Sequence, residues 1–153
     1  MDEISERIEA CIAIEKTVAE IYNTFSNMFP EAMAFFRELS REEEDHATIL
    51  SVAKAYHNVR KLPAHIVPGP LPDIYGTLDR VRSIRERARS GDITLKEAMD
   101  MAAEIEDTVA ENYLQETLMA ETEDRVILNL KKLLIESRTH GQKISEFRAS
   151  LGI

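Results

Sequence analysis

One eight-residue phrase occurs nearly twice in this chain. Glu15-Lys-Thr-Val-Ala-Glu-Ile-Tyr22 returns as Glu106-Asp-Thr-Val-Ala-Glu-Asn-Tyr113, with six of eight positions identical. Each copy precedes a stretch that carries a Glu and a His together, Glu42 and Glu43 with His46, then Glu136 with His140. Glu15, Tyr22, Glu43, His46, Glu106, Tyr113 and His140 fall on stripes of apolar side chains spaced three and four apart, the period of one helix face. A chain so patterned must bring four helix faces together, and it must do so with carboxylates and imidazoles among the buried groups.

The first helix is expected from about Ile4 to Met28, with Ile8, Cys11, Glu15, Val18, Tyr22 and Phe25 on its stripe. Pro30 suits the start of the second, from roughly Glu31 to Val59, whose stripe is Ala32, Phe36, Leu39, Glu43, His46, Leu50 and Ala53. So short a joint implies antiparallel neighbours. The proline-rich segment from Leu62 to Tyr75 cannot hold regular helix. A short extra helix follows over Ile74 to Arg89, ended at Ser90-Gly91. Thr94-Leu-Lys-Glu97 fits a capping box and opens the third long helix, expected to reach about Glu121 with Met99, Ala102, Glu106, Val109 and Tyr113 inward. Thr122 caps the fourth, whose stripe is Val126, Leu130, Leu133, Ser137, His140, Ile144 and Phe147. Gly141 inside it suggests close packing there. The expectation is therefore all-α: two antiparallel helical hairpins joined by a long crossover, one four-helix-bundle domain over residues 1–153.

Composition narrows the function. Tryptophan is absent and the net charge is −9, which argues against a nucleic-acid surface. The one cysteine, Cys11, supplies neither a disulfide framework nor a Cys-rich metal site, and reads as a small core residue. The N-terminal residues lack the pattern of a signal peptide, and no apolar run is long enough to cross a bilayer, so a cytoplasmic, membrane-free protein is expected.

Glu15 and Glu106 interrupt apolar stripes at equivalent places, and an isolated buried carboxylate is costly, so each needs a partner. The partner is a cation, or else a Lys, Arg or protonated His. Glu43 stands three residues before His46, Glu42 four before it, and Glu136 four before His140, all on the histidine's own face. Carboxylate oxygens with two imidazoles suit iron or manganese, with zinc as a further occupant. Tyr22 and Tyr113 each follow a candidate ligand Glu by two turns. Their phenols either orient carboxylates across the bundle or bond locally as core residues.

These residues resemble the ferritin-like di-iron carboxylate superfamily, in particular the rubrerythrin group, whose pattern is a Glu on helices one and three and Glu-x-x-His on helices two and four. Glu15 and Glu106 match the single carboxylates, and Glu43-Glu-Asp-His46 matches the second-helix motif. The fourth helix departs from the pattern. Ser137 stands where a Glu belongs, and Glu136 lies one residue off register, so either Glu136 bridges after a local rotation, or the second metal is weakly held, or the site is mononuclear. The resemblance implies two iron ions on Glu15, Glu43, His46, Glu106, Glu136 and His140, with Glu42 competing with Glu43. It also implies reduction of peroxide or reaction with dioxygen, and a homodimer. The group's Cys-x-x-Cys module is missing, which implies a separate electron-donor protein. Arg80, Arg82, Arg85, Arg87 and Arg89 form a solvated face paired to Asp79 and Glu86, or else dock that donor. Two alternatives remain open, an iron-sequestering ferroxidase and a metal-free helical bundle that serves as an interaction module.

Overall fold

The computed structural model describes residues 1–108, 124, 125, 127, 128, 131 and 140–153. All regular structure among them is helical: α1 (Glu3–Met28), α2 (Met33–Val59), α3 (Leu71–Arg89), α4 (Leu95–Glu106) and α5 (His140–Leu151), with 3-10 turns at Pro30–Ala32 and Ala64–Ile66. No described helix is long and apolar enough to cross a membrane.

α1 starts where the Asp2 carboxylate accepts the Ser5 N–H at 2.9 Å, satisfying one orphan donor of the first turn. Its stripe is buried as the spacing requires, through Ile8, Cys11, Glu15, Val18, Tyr22 and Phe25. The chain then reverses at Phe29 and the proline-led turn. Contacts fix the register of the hairpin: Asp2 meets His57, Glu9 meets Lys54, Glu15 meets His46, Ser40 donates to the Ala19 carbonyl, and Phe25 packs on Phe36. As one number rises the other falls, so α1 and α2 are antiparallel, as expected. His57, 1% exposed, fastens the far end by facing Asp2 through Nε2 and accepting the Leu62 N–H at Nδ1.

α3 corrects the expected boundary. It begins at Leu71 rather than Ile74 and has 19 residues, so the irregular stretch ends before Tyr75. Pro72 is compatible with this because the first turn of a helix needs no N–H from it. Ile74, Thr77, Leu78, Val81, Ile84 and Ala88 bury one face. Tyr75 reaches Glu6, while Arg85 and Arg89 reach Glu20, so α3 runs parallel to α1. Gly91, at φ 75°, supplies the left-handed turn after it. The arginines of α3 bridge helices rather than pairing only locally: Arg80 with Glu104, Arg87 with Glu97, and Arg89 with both Glu20 and Glu86. Among the described residues Asp79 makes no ion pair.

The capping box of α4 forms as its sequence specifies, Thr94 Oγ1 accepting the Glu97 N–H and Glu97 Oε1 accepting the Thr94 N–H. The helix stops short of the expected Glu121, whose stretch from 109 onward lies outside the described residues. α4 closes at Glu106, where the Asp107 N–H tightens onto the carbonyls of Ala103, Glu104 and Ile105. Asp107 is a weak helix former whose short acidic side chain favours local turns. Met99 and Ala102 are buried as expected, whereas Val109 and Tyr113 lie outside the described residues.

α5 buries His140 and Ile144. Arg148 pairs with Asp100 of α4, and Phe147 stacks on Phe35 of α2 with ring centroids 4.1 Å apart. Thr122, Val126, Leu130, Leu133 and Ser137 lie outside the described residues. Among the described residues, a Cβ at Gly141 would meet only the Glu106 Cβ, at an ordinary 4.0 Å.

Candidate metal centre

The period that buries the apolar face of α2 also buries Glu43 and His46, one turn apart. α1 delivers Glu15 to the same level, α4 ends on Glu106, and α5 carries His140. Four helices thus converge on one group of carboxylates and imidazoles.

Glu43, 2% exposed, lies at its centre. Its Oε2 is 3.1 Å from His46 Nδ1, and its Oε1 is 2.8 Å from His140 Nδ1. Glu15 Oε2 stands 3.7 Å from His46 Nδ1, and Glu106 Oε1 stands 3.6 Å from His140 Nδ1. Two sets follow, Glu15-Glu43-His46 and Glu43-Glu106-His140, each with ligand atoms within 4.8 Å of one another, and Glu43 belongs to both. The two imidazoles stack at 5.4 Å. Tyr22, fully buried, donates its hydroxyl to Glu106 Oε1 at 2.7 Å and packs on Phe36.

Charges crowded out of water shift one another. Burial and the neighbouring Glu43 charge push the Glu15 carboxyl well above its ordinary range. Burial also raises Glu106, although His140 and the Tyr22 hydroxyl oppose it. For Glu43, burial is outweighed by the Glu15, His140 and His46 side chains set close about it, which hold it well below the usual carboxylate range. Burial likewise disfavours both imidazolium ions, yet Glu15 and Glu43 push His46 up to about 10, and Glu106 and Glu43 push His140 up to about 11. With no metal present, protons hold these carboxylates together.

The donor set fits a divalent cation. His140 Nδ1 is buried and makes no hydrogen bond, although a carboxylate oxygen lies 2.8 Å away. A buried nitrogen aimed between two carboxylates, without a bond, is placed as a ligand atom would be.

The structure brings together Glu15, Glu43, His46, Glu106 and His140, with Tyr22 behind Glu106. Glu136 and Tyr113 lie outside the described residues. Glu42, expected to compete with Glu43, lies on the opposite nitrogen of His140, its Oε2 2.5 Å from Nε2. Lys143, which the sequence reading did not single out, holds the other Glu42 oxygen at 2.8 Å. Its signal was available, since a Lys three residues after His140 shares that histidine's side of the helix. Comparison with protein-family models, with curated proteins and with solved structures finds no match.

Proposed function

We propose that this protein is a ferritin-like four-helix-bundle protein with a dinuclear iron site, acting on peroxide or dioxygen in the manner of rubrerythrins. The observation that carries the reading is Glu43, whose two oxygens each face a different histidine while Glu15 and Glu106 flank the pair. Glu15 and His46 would hold one ion, Glu106 and His140 the other, and Glu43 would join them. Iron bound there would supply electrons for reduction of peroxide or dioxygen. The chain's own part is to keep bulk water out, orient the carboxylates and release the protons that hold the cluster together in the metal-free protein. Tyr22 fixes Glu106 by its hydrogen bond. The reducing equivalents are assigned to a separate donor. Its docking on the α3 arginines is disfavoured, because Arg80, Arg85, Arg87 and Arg89 already face acidic partners.

Metal analysis after anaerobic loading with ferrous iron should give two ions per chain, and peroxide should then produce a visible absorbance change. Uptake at trace level only would sink the reading. One observation favours a second reading, a metal-free bundle: the buried Glu and His groups already pair with one another. On that reading the melting temperature of both the native protein and Glu106→Gln is indifferent to added iron, whereas the dinuclear reading requires iron to raise it in the native protein.

A further inference from the structure

We propose that Glu42, braced by Lys143, is a positioning residue that fixes the His140 ring so that Nδ1 faces the metal cluster. The inference rests on the dinuclear reading above.

Glu42 is on α2 beside Glu43, but it occupies the edge of the cluster, with a side chain 28% exposed. Its Oε2 faces His140 Nε2, and its Oε1 accepts from Lys143 Nζ on the next turn of α5. The carboxylate is therefore clamped between two groups of a single helix and has one oxygen for each. A neutral imidazole carries one N–H. When Nε2–H donates to Glu42, Nδ1 presents its lone pair, and that atom faces Glu43 Oε1 at 2.8 Å and Glu106 Oε1 at 3.6 Å. A lone pair facing two carboxylates is repelled unless a cation lies among them. Glu42 thus selects the tautomer and ring orientation that ligation needs, and its charge makes Nδ1 a stronger donor. Among the described residues His46 has no such arrangement. Its polar contacts, to Glu15 and Glu43, are both made through Nδ1.

Cobalt(II) serves as the probe, because its visible bands report coordination and calorimetry counts the ions without any turnover. The native chain should bind two. Glu42→Ala should weaken one position about 10- to 100-fold and change the bands of that ion, leaving the other unaltered. Glu42→Gln, whose amide oxygen still accepts from Nε2, should recover part of the loss, and Lys143→Met should give a smaller loss at the same position. Glu44→Ala, on the exposed side of α2, serves as the control and should match the native chain. If the native chain binds two ions and the Glu42 variants match the control, or lose both positions equally, the positioning role is wrong while the dinuclear reading stands. A native chain that takes up no cobalt overturns both. If Glu42→Ala does not fold, the Gln and Met variants carry the same test.

Discussion

At the scale of single residues, the cluster is a set of ionisable groups that burial forces to share protons. In metal-free protein His46 and His140 are raised from about 6.5 to about 10 and about 11. A raised histidine stabilises the fold fully below its unfolded value, and that contribution is lost as pH climbs to the folded one. The metal-free protein should therefore lose stability between about pH 6.5 and 11, read as a falling urea midpoint, and a His46→Gln/His140→Gln variant should show a flatter profile. Metal uptake should have the opposite slope, since each ion displaces protons. Tyr22→Phe should cost about 1–3 kcal/mol, because it removes a buried hydrogen bond to a carboxyl group. Chemical denaturation would read that difference. The buried carboxylates and histidines were legible as interruptions in apolar stripes. The role of Glu42 was not. Spacing places Glu42 and Glu43 both near the face of His46, and only the position of α5 shows that Glu42 belongs to the other histidine's far side.

Among the elements, α1 and α2 were legible almost residue by residue, since each buries one unbroken stripe against the other. The ends of α3 and α4 were less so. Prolines within a first turn do not forbid a helix, so α3 begins earlier than the proline density suggested. The same Thr-Val-Ala-Glu phrase that continues α1 follows the end of α4. The difference immediately after the Glu is Lys16 in one copy and Asp107 in the other, and Asp is the poorer helix former and the readier turn former. Gly141 gives this scale its test. With ordinary space at its Cβ, Gly141→Ala should stabilise the protein by roughly 0.5–1 kcal/mol through helix propensity. A loss of stability in thermal denaturation would show that the space is not free.

For the molecule as a whole, the repeat anticipated that two halves supply one site, and the helices α1, α2, α4 and α5 do converge on it. The mismatch of Glu43 with Ser137 already marked that supply as uneven. Glu43 of the first half faces a histidine from each half, and Tyr22 of the first half reaches across to Glu106 of the second. The second half has Ser137 at the position matching Glu43. In genetic terms the copies are no longer interchangeable. A change that spoils one half is felt by the carboxylates and imidazoles of the other, so neither copy can drift, be exchanged or be lost on its own. The chain carries two similar sentences; the crossing of Tyr22 and the sharing of Glu43 bind them into a single unit of inheritance.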